Sequence, residues 1–392
     1  MNVNLAGNRF LIGNKQAAVL TVSSGALNFT NNNDLFIGGD TSFNTINAAN
    51  GTLTISGGSV NVSGTGSLVL GVSTNATGTI NLDGGTFTTA RNITLGNTGT
   101  GMTGTVNFNG GTIVIDANST SFMTGLTAAY IKSGGAIINT AKTNTIGQAL
   151  LTDTVSTGGG LTKLGTGTLT LAGANTYTGA TLVNAGTLVY NGTNTSTATT
   201  VGSGATLMGS GSIGNVTVNS GGTISPGNSP GTLTVGAVTF GAGGNYNWQI
   251  YDATAAAGGY DLLSGTSLNI TADATTKFNL NLWSLSAISP SDVNGSAINF
   301  ANTNSYSWTI GTFSGGITNF NSSYFSINTA STNGTGGFAN SLGGGSFALA
   351  ATNNNLVLSF TPLLVNNWTN TANANWSVAS AWSAGVPTSA QD

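Results

Sequence analysis

GTLTISGGSVNV (51–62), GTINLDGGTFTT (78–89) and GTVNFNGGTIVI (104–115) are three copies of one pattern, G-T-φ-x-φ-x-G-G-x-φ, where φ is apolar. Their starts lie 27 and 26 residues apart, and a repeat of that length is the signature of a stacked architecture. Between the copies sit shorter apolar strands, LVLG (68–71) and ITLG (93–96), echoed earlier by LFIG (35–38). Alternation with period two puts Ile80 and Leu82 on one side of the chain and Thr79, Asn81 and Asp83 on the other. Gly84-Gly85 supplies the positive φ of a tight corner before the next strand opens at Thr86-Phe87. A coil of about 25 residues carrying two or three short strands is what a parallel β-solenoid requires, each coil pairing with the next about 4.8 Å along the axis. An antiparallel sandwich also uses short strands and many turns, but it does not need a fixed repeat.

Composition supports the same reading and removes much chemistry. Of 392 residues 60 are Gly, charged residues are only 4%, and the helix formers Glu, Lys, Arg and Gln are nearly missing. All acidic residues are aspartates, and there is neither histidine nor cysteine. Zinc sites built on Cys or His, Ser-His-Asp and Cys-His relays, and disulfide frameworks are therefore impossible. Seven Lys+Arg against ten acids leave no basic face for nucleic acid. No apolar run is long enough for a membrane span. A mean hydropathy of +0.16 argues against disorder.

Farther along, GGGLTKLGTGTLTLAGANTYTGATLVNAGTLVYNG (158–192) breaks the simple repeat and brings its own order of residues. It resembles the autotransporter-associated β-strand repeat, also called the passenger-associated transport repeat, over Gly159–Leu188. Residues 202–235 are similar to the segment that comes after such repeats in secreted bacterial β-helices. The later Gly259–Leu263 and the closing W-x7-W-x5-W segment resemble parts of large repeat proteins of the Verrucomicrobia and Planctomycetes. The resemblance implies a right-handed β-helix outside a bacterial cell.

The expected organisation is all-β: solenoid repeats over 1–120, an irregular or partly helical coil over 121–157, and solenoid again over 158–240. An aromatic-rich β domain, either sandwich-like or a broadened helix, is expected over 241–362. All six tryptophans lie beyond residue 236, and 363–392 reads as the start of a further module or an inter-subunit connector. That stretch breaks off in mid-pattern, so the natural chain is expected to be longer.

No catalytic or cofactor site is expected. Asp83 with Arg91, and Asp34 with Asp40, are the pairs a polysaccharide lyase or hydrolase on a solenoid would use. The plainer role is turn capping, which suits aspartate. Asp252 and Asp261 flank an Ala-Gly loop and are the candidate calcium ligands, against a structural hydrogen bond in a turn. Trp368, Trp376 and Trp382 are the interaction candidates, against core packing. Asn rows are expected to stack inside or along corners as hydrogen-bonded ladders, whereas Thr rows fit for an ice surface are not expected, because the repeats lack a strict T-x-T ladder. The leading expectation is a non-enzymatic extracellular stalk or filament module that stacks on copies of itself or on neighbouring modules. An adhesin for polysaccharide or another surface is the alternative, and a lyase or hydrolase the second.

Overall fold

The computed structural model describes residues 2–3, 9–30, 32–40, 49–96, 100–254, 258–288, 292–331, 336–363 and 377. The chain winds as a parallel β-solenoid with three strands to a coil. In one coil these are Thr77–Leu82, Thr86–Thr89 and Ile93–Leu95. Each strand pairs in parallel with its counterpart in the coils before and after, which builds a 13-stranded face and a 14-stranded face. The third side is a six-stranded sheet that ends at Leu150–Thr152, followed by a seven-stranded sheet that begins at Thr193–Asn194.

The alternation read from the sequence sets the faces. Gly78, Ile80 and Leu82 are buried, while Thr77, Thr79 and Asn81 are partly exposed. Register then converts each inward position into a column: Leu53, Ile80, Val106 and Ala129 stack, as do Ile55, Leu82, Phe108 and Ile131. A side chain cannot leave its column without shifting the whole strand by one residue, which would turn every apolar group outward. The Gly-Gly corners are needed for closeness as well as for φ. Gly85 has φ +59°, and a Cβ there would stand 2.6 Å from the carbonyl oxygen of Gly58 in the preceding coil.

Two expectations about organisation are corrected. Residues 121–157 are not helical, and their irregularity is confined to one register shift at Ser119–Met123: Ser119–Thr124, Ala128–Ile131, Ala136–Thr140, Thr143–Ile146 and Leu150–Thr152 are solenoid strands. Lys132 and Lys142 fall in corners and Tyr130 points outward, while Ala129, Ile131, Ile138 and Leu150 keep the inward columns. Nor is 241–362 a separate Trp-rich domain. Asn245–Ile250 pairs in parallel with Thr223–Pro226 and with the ten-residue strand Phe278–Ala287, and one apolar core runs from Ile12 to Phe360. The expected broadening is present, because longer coils must be filled by rings. Phe240 stacks on Phe278 at 4.1 Å, and Trp248 lies 5.7 Å from Trp308. Among the described strands, antiparallel ladders join Tyr306–Phe313, Asn355–Thr361 and Ser346–Thr352, with a short return at Val293–Asn294, and single antiparallel bridges link Gly209 to Gly227 and Ile250 to Tyr260. Residues 364–376 and 378–392 lie outside the described residues, and with them the expected further module. Among the described residues no helix is long and apolar enough to cross a membrane.

Candidate functional site

The acid–base pairs weighed for a lyase or hydrolase do not form. Arg91 is turned inward, 2% exposed, and its guanidinium donates to the carbonyl oxygens of Ser63 (Nε, 3.1 Å) and Asn33 (Nη1, 2.6 Å). Burial lowers its pKa, with Asp34 opposing the shift. Asp83 instead accepts from Asn109 in the next coil at 3.0 Å. Asp34 accepts the backbone N–H of Ser67 at 2.8 Å, and Asp40 pairs with Arg9 at 3.1 Å. These aspartates tie coils together, Asp34 through a backbone N–H of the neighbouring coil and Asp83 and Asp40 through side-chain donors. Among the described residues no three Asp, Glu, His or Cys gather as a metal site would require.

The calcium candidates serve different partners. Asp252 accepts from the Thr254 N–H (2.9 Å) and from Asn299 Nδ2 (2.9 Å). Asp261 is fully buried; Oδ1 accepts from Gly231 N–H at 2.9 Å and Oδ2 from Gln249 N–H at 3.0 Å. Burial pushes its carboxyl well above the usual range, against the two N–H donors that favour the ionised form. Both oxygens are thus engaged in fastening the Gly231 loop to the strand that holds Gln249, the structural role of a turn aspartate. Trp368, Trp376 and Trp382 lie outside the described residues.

The polar residues that stand out are inside the coil at 158–192, and the sequence reading passed them over. Leu161–Leu164 places Lys163 in an inward column between Ile138 and Val183. Its side chain is fully buried, and Nζ donates to the carbonyl oxygens of Leu164 (2.9 Å), Gly165 (2.8 Å) and Ala185 (3.2 Å). Burial lowers its pKa to about 8. The signal was there: Lys163 follows Leu161 by two residues and so shares its face. Nearby, the Tyr177 hydroxyl lies 2.7 Å from both Thr181 Oγ1 and the Tyr190 hydroxyl, and Asn194 Nδ2 donates to the Tyr177 carbonyl oxygen at 3.2 Å. Burial raises the pKa of both tyrosines, so they stay neutral donors and acceptors. Chemically this cluster is a fastening: its polar atoms are spent on one another and on backbone carbonyls.

Amide and hydroxyl ladders do form, but along the strands and not inside the core or at corners as expected for the Asn rows, although the rung at Asn281 is fully buried. Asn107 Nδ2 donates to Asn81 at 2.8 Å, and Asn281 links Asn247 to Asn328 at 2.8 Å on each side. Register also stacks Thr52, Thr79 and Thr105 beside a second row of Asn50, Thr77 and Thr103, so a short T-x-T array does exist in two coils. Thr77 and Thr103 are spent on each other, Oγ1 to Oγ1 at 2.9 Å.

Residues 161–189 match the family described as the passenger-associated-transport-repeat, which places the repeat on Lys163, Tyr177 and Thr181. No curated protein matches the chain.

Proposed function

We propose that the protein is a secreted, non-enzymatic β-helical stalk or filament module, exposed at a bacterial surface, that stacks on copies of itself or on neighbouring modules. The observation that carries the reading is a passenger-associated transport repeat set within one continuous parallel ladder. Such a ladder adds length at a fixed rise per coil and transmits load through backbone hydrogen bonds. The near-neutral exterior supports stacking, since little like-charge repulsion opposes packing of copies. The inward turn of Arg91 and the separate partners of the aspartates favour a role without catalysis.

Negative-stain microscopy of the purified protein tests the proposal. Unbranched fibres with a constant axial repeat are expected. Dispersed single rods at all concentrations would overturn self-stacking and favour the adhesin reading. Release of reducing ends from a polysaccharide panel would overturn the non-enzymatic reading.

A further inference from the structure

Among the described parallel strand pairs, the register shifts only at Ser119–Thr124. There Ser119 opposes Asn144 and Met123 opposes Ile146, so the strand spends four residues where its neighbour spends two. Such bulges re-aim side chains and often border binding sites. Phe122 and Met123 turn into the core, and Thr120 and Ser121 are pushed out into solvent. Beside them the surface sinks into an open cleft of about 530 Å³ lined by Asn92, Asn118, Ser119, Thr120, Ser121 and Thr143. That volume is in the range of small-ligand sites, roughly 300–1,000 Å³.

Part of the lining is spent on holding the cleft open. Ser119 Oγ donates to Asn92 Oδ1 at 2.7 Å while accepting the Ser121 N–H at 3.1 Å, and Asn118 Oδ1 accepts the Thr143 N–H at 2.8 Å. The rest is uncommitted: among the described residues the amide NH₂ groups of Asn92 and Asn118 and the hydroxyls of Thr120, Ser121 and Thr143 have no protein partner. Nothing ionisable and no ring lines the cleft. Asp116 and Lys142, of opposite sign, flank it in sequence without reaching into it. An anion or cation finds no counter-charge there, and an apolar ligand would strand five polar groups. An uncharged ligand rich in hydroxyls satisfies all of them.

We propose that this cleft binds a short segment of a neutral polysaccharide. Binding rests on hydrogen bonds that replace bonds to water, without stacking on a ring, so single-site affinity falls near the millimolar range and long polymers are held by many modules at once. The site does not depend on whether copies stack.

Affinity electrophoresis of the intact chain through gels containing neutral glucan, mannan, xylan or galactan, with alginate and a polymer-free gel as controls, tests it. Retardation in at least one neutral gel and none in alginate is expected. Thr120→Ala/Ser121→Ala, which removes two unpartnered surface hydroxyls, should cut that retardation at least fivefold. Ser196→Ala, made elsewhere on the surface, should leave it unchanged. Normal mobility in every neutral gel, equal retardation by alginate, or full retardation of the double variant would each overturn the site. Fibres seen without retardation would leave the stalk reading standing and remove only this one.

Discussion

The coils before residue 152 and those around the passenger repeat solve the same packing problem at different sizes. In the first group Ser59 opposes Thr86, 27 residues on, and Thr112 opposes Ile137, 25 on. In the second Leu161 opposes Thr181, 20 on, and Thr199 opposes Val216, 17 on. The wide coils have room for stacked columns of aliphatic and phenyl groups, and their interior positions are apolar at almost every step. In the shorter coils the carbonyl oxygens of Leu164, Gly165, Ala185 and Tyr177 take buried side-chain donors, since a buried carbonyl needs a partner. Lys163 and Asn194 meet that need. The passenger repeat thus gathers interior polar groups that the wide coils hold more sparsely, as at Arg91 on the Ser63 and Asn33 carbonyls.

The comparison can be broken or sharpened by substitution. The largest effect is expected from Phe108→Ala in a wide coil, where a fully buried ring is lost from the column of Leu82 and Ile131; about 3–5 kcal/mol of local stability should disappear. Hydrogen exchange read strand by strand is the measurement, because a stacked array does not unfold as a single unit. Protection loss centred on residues 161–189 instead would contradict the picture. Next, Tyr177→Phe deletes a hydroxyl shared by Thr181 and Tyr190 and should cost about 1–3 kcal/mol, seen as faster exchange in the narrow coils alone.

The lysine offers a test by pH. Its folded value near 8 lies below the ordinary 10.5, so the fold prefers the neutral amine. Below pH 8 the lysine is charged both folded and unfolded, and the burial penalty is felt in full. Between pH 8 and 10.5 the folded form sheds its proton first, and stability rises. The thermal midpoint should climb from pH 8 to 10, and Lys163→Met should flatten that climb; an unchanged slope in the variant would assign it elsewhere. The smallest effect is expected from Asn107→Ala, which removes one half-exposed rung and should cost less than about 1 kcal/mol by denaturant titration.

Much of the fold was legible in the sequence because period two and a fixed repeat act together. Ile80 and Leu82 could be placed inward, and Gly84-Gly85 at a corner, from the residues alone. The segment 121–157 misled because Lys132 and Lys142 look like interruptions, although they occupy corners where a solvated side chain disturbs no column. The continuation past residue 241 was hidden by long insertions: Leu268 opposes Ile317, 49 residues on, which no fixed period announces. Of the site residues, Asp83 and Asp34 were expected to cap their own turns, but they accept from the Asn109 side chain and the Ser67 N–H of the next coil, partners that a local reading cannot reach. Arg91 gave no warning of its inward turn, because it follows a strand end where alternation no longer applies.

The short coils have a mechanical consequence. A rod resists bending in proportion to a high power of its width, so a stretch of reduced girth concentrates curvature. If the protein is the proposed stalk, a sideways load should bend it first between residues 161 and 218, where the coils are shortest. The hydrogen-bonded interior that fills this waist, anchored by a lysine on three carbonyl oxygens, then sits where strain is greatest. The passenger repeat would serve as a compliant joint in an otherwise stiff beam.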